Sequence, residues 1–204
     1  MKINGFIVAS VSACLVSVAS STHADNLTLG DKIPMAATKM QNVDGKQVSI
    51  ADVAGKNGTL VVFSCNHCPF AKAWEGRMVA IGNASAKRGV GAITINSNDP
   101  ASYPEDSMEV MQQHARDKGY QFPYVVDGTS DVARAFGATH TPEVFLFDKD
   151  GKLVYHGAID DDSVASKVTK NFLNDALAAL VEGKPISVSE TKAIGCTIKY
   201  RSKT

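Results

Sequence analysis

The stretch Thr59-Leu60-Val61-Val62-Phe63-Ser64-Cys65-Asn66-His67-Cys68-Pro69 decides the fold. Its first half is a short continuous apolar run behind the turn dipeptide Asn57-Gly58, the pattern of a central strand buried on both faces. Its second half sets two cysteines three positions apart at the start of a helical pattern running from about Asn66 to Lys87, where Gly89 stops it. On one helical face, positions i and i+3 let two sulfurs close a small disulfide ring. The unpartnered N–H groups and partial positive charge of a helix start favour thiolate over thiol at Cys65. His67 adds a positive charge or a hydrogen bond beside that thiolate, and Pro69 is tolerated in the first helical turn.

Outward from this stretch, Asp44-Gly45 predicts an early β-hairpin, and Val90 to Asn96 a second buried strand. A helix from about Glu105 to Lys118 follows the polar loop Asn96–Pro100, with Met108, Met111 and Ala115 at helical spacing. Phe122 to Val126 reads as a short strand and Asp131 to Phe136 as a short helix. Glu143–Phe147 and Leu153–His156 flank the turn Asp148-Lys149-Asp150-Gly151 and predict an antiparallel hairpin. The last helix carries an apolar stripe that starts at Val168 and runs from Phe172 to Val181, ended by Gly183 and Pro185. The order strand–helix–strand–helix–strand, then hairpin, then helix, describes an α/β sandwich with a central mixed sheet.

The 204 residues carry 21 basic and 21 acidic side chains, and 44% are hydrophobic, so neither a disordered chain nor a nucleic-acid binder with a basic face is expected. Lys2, the broken apolar run Gly5–Ala19 and the small residues Thr22 and Ala24 read as a signal peptide over 1–24, cleaved after Ala24. The run is too short for a membrane span. Val11-Ser12-Ala13-Cys14 resembles a lipobox, but the apolar region continues past Cys14, which is read as part of the discarded signal. Export to a periplasmic or secreted, oxidising location follows, with membrane contact only through the signal segment. Residues 25–185 form the domain, and 186–204 a polar, slightly basic tail carrying Cys196. Cys65, Cys68 and Cys196 then make an odd number of thiols: one is free, paired between molecules, or exchanging partners.

The run Phe63-Ser64-Cys65-Asn66-His67-Cys68-Pro69 resembles the redox motif of the thioredoxin superfamily, and Thr141-Pro142 before Glu143–Phe147 resembles its cis-proline loop. The long separation between Cys68 and Pro142 suits the TlpA-like and peroxiredoxin-like redoxin branch, which has an inserted strand–helix element. Ile95–Pro100 and Gly195–Tyr200 are similar to segments of the same group. The resemblance covers nearly all of residues 27–200 and implies a thioredoxin-like fold. It also implies Cys65 as the attacking thiolate, Cys68 as the resolving thiol, a cis Pro142 facing them, and a Thr141 backbone offered to an extended substrate. The chain departs from the family at Ser64, where thioredoxins have Trp, and in lacking an acid on the preceding strand to accept the Cys68 proton. The peroxiredoxin motif is absent: Cys65 and Val61 stand where that motif has Thr or Ser and Pro.

These readings lead to an exported thiol–disulfide oxidoreductase of undetermined direction. It would act on protein or small-molecule disulfides and dithiols with a separate redox partner, and would carry no cofactor or resident metal. A CxxC can also be an inert disulfide or half a zinc site, though no second CxxC or spaced His pair accompanies it. Two alternatives stay beside it: a copper chaperone using Cys65, Cys68 and His140, and a thiol peroxidase in which Cys68 resolves a Cys65 sulfenic acid. Cys196 is an isolated thiol, a crosslink, or a third redox partner. His114 and His156 are read as surface residues, and Asp160-Asp161-Asp162 as a solvated, helix-starting turn.

Overall fold

The computed structural model describes Met1 and residues 27–202, so the signal reading and Cys14 lie outside the described residues. No helix among the described residues is long and apolar enough to cross a membrane.

The predicted hairpin is β1 (Met40–Asn42) against β2 (Gln47–Val48), turned at Gly45 with φ +83°. The decisive apolar run is β3 (Gly58–Phe63), buried at every residue. α1 (Pro69–Ser85) follows and ends through one 3₁₀ turn at Gly89, whose φ of +70° lies in the left-handed region. β4 (Val90–Asn96) leads to a 3₁₀ turn over Pro104–Asp106 and then to α2 (Met108–Lys118). β5 (Tyr124–Val126), α3 (Asp131–Phe136) and β6 (His140–Thr141) come next. β7 (Glu143–Asp148), β8 (Leu153–Gly157), α4 (Phe172–Val181) and β9 (Cys196–Thr197) complete the chain.

Two ladders, β2-β1-β5-β4 and β3-β7-β8, make the central mixed sheet, with β4 and β5 parallel and β3 antiparallel to β7. They adjoin where β3 lies beside β4, and just past β3 the Ser64 N–H donates to the Ile95 carbonyl at 3.0 Å. Although β3 is apolar throughout, its side chains still alternate. Val61 and Phe63 enter the core beneath α3 with Phe136, Phe145 and Phe147, whereas Leu60 and Val62 face Trp74, Met78 and Leu177 beneath α1 and α4. Phe63 meets the Phe136 ring edge-on at 5.2 Å, which seats the end of β3, and therefore the cysteine motif, firmly on this core.

Four boundaries differ from the sequence reading, each for a physical reason. α1 starts at Pro69 rather than Asn66, because Cys68 stands before a proline and is held extended (φ −64°, ψ 125°). The two cysteines therefore bracket a turn leading into the helix and do not share a helical face. The α2 region breaks at Ser107, which is extended (ψ 157°) and separates the 3₁₀ turn from the helix. β5 begins after Pro123, which has no N–H to give a ladder. Val168 lies outside α4, at the end of the 3₁₀ turn Ala165–Lys167.

Residues 186–202 do not trail away as a tail. β9 pairs antiparallel with β6, Thr191 Oγ1 bonds to the Tyr155 hydroxyl at 2.9 Å, and Ile198 is buried in the main core.

Candidate functional site

Both sulfurs of the CxxC segment lie under the loop that carries Pro142, and the Thr141-Pro142 peptide bond is cis. Cys65, Cys68 and Cys196 are all free thiols, the first two buried and the third half-buried. Cys65 Sγ lies 3.2 Å from Thr141 Oγ1, and neutral Cys68 donates to the Thr141 carbonyl at 3.4 Å. Thr141 thus touches both sulfurs, one through its side chain and the other through its backbone.

The helix start serves Cys68, not Cys65. As the residue capping α1, Cys68 accepts the Ala71 N–H at 3.5 Å. The Cys65 thiol is pushed up because it donates to Cys68 and is buried, with the negative charge of Asp106 adding to the effect. Cys68 is pushed down to about 4, chiefly by accepting from Cys65 and then by the Cys196 and Ala71 donors, against the cost of burial. The helix-start donor thus reaches Cys68 rather than Cys65, and the two sulfurs share one proton between them.

Behind Cys65 is a carboxylate that sequence reasoning missed. Asp106, 1% exposed, accepts from the Asn66 N–H at 2.7 Å and from the side-chain amides of Asn96 (3.1 Å) and Asn98 (2.9 Å). It also lies 2.6 Å from His67 Nδ1, which must carry the proton because an ionised carboxylate only accepts. Tyr103 stacks on the His67 ring at 4.4 Å, and the Tyr124 hydroxyl donates to Asn66 Oδ1 at 2.9 Å. The sequence held one indirect signal, the cluster of amides between Asn96 and Asn98. Nothing local marks Asp106, which meets His67 across 39 positions of chain.

Among the described residues, the ligating atoms that come within 4.8 Å of one another belong to Cys65, His67 and Asp106. His140 is not among them: its Nδ1 lies 2.8 Å from Thr139 Oγ1, so the copper-site trio is not assembled. The group that does assemble is Cys65, His67 and Asp106. Asp106 receives four N–H donors, which fills the lone-pair sites of a carboxylate.

Other expectations also change. His114 bonds the buried Glu75, and His156 Nε2 lies 2.8 Å from the buried Glu143, so neither histidine is a free surface residue. Asp160 is 2% exposed and joins Trp74 Nε1 (2.6 Å) to Arg77 (3.0 Å), holding α1 from below. Thr141 is also less available than expected, because it stands opposite Cys196 in the β6–β9 register. Cys196 packs against Cys65, Cys68 and Ala71.

Comparison with known proteins bears on the family and the fold. The profile of the AhpC/TSA family matches residues 29–156. A solved structure described as an uncharacterized conserved protein from Geobacillus kaustophilus superposes with a TM-score of 0.81 at 40% identity, covering 87% of this chain and 94% of that one. A thioredoxin-like protein in its oxidized form shares the fold at a TM-score of 0.63 and 16% identity, over 78% of this chain and 99% of that one. The thiol-disulfide oxidoreductase ResA of Halalkalibacterium halodurans is 25% identical over 116 residues, 56% of this chain, and the match spans only 61% of that relative's length. The fold is thioredoxin-like, and the chain belongs to the AhpC/TSA family.

Proposed function

We propose that the protein is an exported thiol–disulfide oxidoreductase in which Cys65 attacks and Cys68 resolves. One observation carries this reading: two free thiols share a single hydrogen-bonding partner, Thr141, beside a cis proline and a buried His67–Asp106 pair. Cys65 keeps 4% exposure against none for Cys68, which makes it the sulfur a client reaches first.

Transfer of the Cys65 proton to Cys68 places the charge on Cys65. The Cys65 thiolate then attacks one sulfur of a client disulfide, forming a mixed disulfide and releasing the other client sulfur as thiolate. His67, with Nδ1 held by Asp106 and the histidine within 4.8 Å of Cys65 Sγ, protonates that leaving group, and in the next step the Cys68 proton passes to water. The Cys68 thiolate, steadied by the Ala71 N–H, attacks Cys65 Sγ. The client leaves reduced by two electrons, and Cys65–Cys68 is left as a disulfide. Run backwards, the same steps oxidise a client dithiol, so a separate redox partner sets the direction. The N-terminal apolar run supports delivery to an oxidising compartment, where such exchange is useful.

The reading is tested with a fluorescent dithiol–disulfide peptide as client. Cys65→Ser should lose catalysed exchange with this peptide client, keeping only slow equilibration at Cys68, and Cys68→Ser should accumulate a mixed disulfide visible as a mass increment of one client. Exchange by Cys65→Ser at the parent rate would end the proposal.

A further inference from the structure

The C-terminal strand is laid on the redox centre by specific contacts. Gly195 approaches so closely that a Cβ there would stand 2.2 Å from the Thr141 carbonyl oxygen, a position only glycine can occupy. Beyond it, the Ile198 N–H donates to the Thr139 carbonyl (2.9 Å) and the Lys199 N–H to Asn98 Oδ1 (2.7 Å). The Asp99 N–H donates back to the Lys199 carbonyl at 2.8 Å. The strand thus bridges the cis-proline loop and the asparagine loop that feeds Asp106, and between these anchors it seats Cys196 against the cluster that holds the CxxC pair, beside Cys68. The family match ends at His156, so this strap lies outside it.

We infer that Cys196 is a third exchanging sulfur, which takes over the disulfide from the Cys65–Cys68 pair within the same molecule. The inference rests on the redox reading above and extends it. In the oxidised pair, the Cys196 thiolate attacks Cys68 Sγ, the Cys65–Cys68 bond breaks, a Cys68–Cys196 bond forms, and Cys65 leaves as a thiolate. Two electrons are conserved within the protein, and no further oxidant is consumed. Cys68 is the target because it is the sulfur with which Cys196 interacts. The reduced pair suppresses the step: burial, and then the charge on Cys68, hold the Cys196 proton on. Oxidation removes that charge, so Cys196 becomes competent only after the pair has reacted. The outcome is a protein that holds its disulfide inward while Cys65 is free again.

The test uses the full-length chain, its Cys65→Ser variant and the Cys65→Ser/Cys196→Ser double variant, each equilibrated with oxidised glutathione, quenched, alkylated and digested with trypsin. Cys65 and Cys68 fall in the peptide 57–72 and Cys196 in 193–199, so a linkage between the two peptides reports the relay, and Cys14 is mapped separately. A thiol held in contact has an effective concentration in the millimolar range or above, so Cys65→Ser at micromolar glutathione should show the Cys68–Cys196 linkage about tenfold over the glutathione adduct. The double variant should keep the adduct on Cys68. Cys65→Ser that keeps glutathione on Cys68 with Cys196 alkylated overturns the relay. If the parent pair nonetheless forms Cys65–Cys68 reversibly, the oxidoreductase reading stands alone; if that pair fails to exchange, both fall. Gly195→Val, which lifts the strap from Thr141, should lower the linkage at least about tenfold while the Cys65–Cys68 disulfide still forms.

Discussion

Asp106 and Glu75 make almost the same arrangement in two regions of the molecule. Each is a buried carboxylate, and each holds a histidine that is 16% exposed at its side chain: His67 for Asp106, His114 for Glu75. The surroundings differ. Glu75, on α1, also binds Lys118 at 2.9 Å, so it clamps α1 to α2 with two basic partners. Among the described residues Asp106 has no second basic partner and spends its remaining capacity on three amide donors, with Cys65 Sγ within 4.8 Å. A buried acid with a histidine is therefore not in itself a functional signature. The clamp gives its acid two basic partners, while the pocket sets its acid and its histidine within 4.8 Å of the Cys65 sulfur.

The sharpest way to break this comparison is to neutralise each acid in turn. Asp106→Asn keeps the shape but turns one of the two accepting oxygens into a donor, which opposes either Asn96 and the Asn66 N–H or Asn98 and His67 Nδ1. Exchange should fall by about a hundredfold, in line with the loss of a positioned acid–base group. Stopped-flow exchange on the folded variant checks this, and an unchanged rate would reduce Asp106 to a structural residue.

Glu75→Gln should do the reverse. Removing the charge shared by His114 and Lys118 is expected to cost about 1–3 kcal/mol of unfolding free energy. Glu75 lies two turns along α1 from Cys68, about 10 Å at the helical rise, so the exchange rate should not change. Denaturant unfolding together with the same kinetic series measures both effects. A rate loss comparable to that of Asp106→Asn would erase the distinction between the regions.

The contrast also explains what the sequence made legible. β3, β4, the β7–β8 hairpin and the CxxC turn announce themselves through local patterns: apolar runs, Asp-Gly and Asn-Gly turns, and a proline after Cys68. The cis bond at Pro142 follows from the resemblance and the mixed sheet from the order of elements, and both are present. The helix starts later than its apolar pattern predicts because a residue before proline is biased away from the helical region, which puts the helix-end donor on Cys68 rather than Cys65. The acids that matter were hidden for another reason. Asp106 reads as one more charge in the polar segment before α2, and only the fold brings the β4–α2 connection over the mouth of β3. Cys196 was visible as an odd thiol, but its place against Cys68 depends on the Gly195–Thr141 approach, which no spacing rule encodes.

The mildest perturbation separates the two basic partners within the clamp. Burial alone would raise the Glu75 pKa, but the hydrogen bonds and charges of His114 and Lys118 more than reverse this, and the carboxyl sits below its ordinary value. A depressed carboxyl contributes stability that is complete above its unfolded-state pKa and is lost as pH falls through the folded-state value. Lys118→Met removes the more exposed partner, whose side chain is 48% exposed, so the loss near neutrality should be about 0.2–1 kcal/mol. Its clearer mark is the pH dependence. With less to hold the Glu75 charge, the folded-state value rises toward the unfolded one, and the fall in stability between about pH 6 and 3 becomes shallower than in the parent. Unfolding curves across that range measure the slope. Parallel slopes in parent and variant would show that His114 alone holds the buried charge, making the clamp a one-histidine device like the pocket at Asp106.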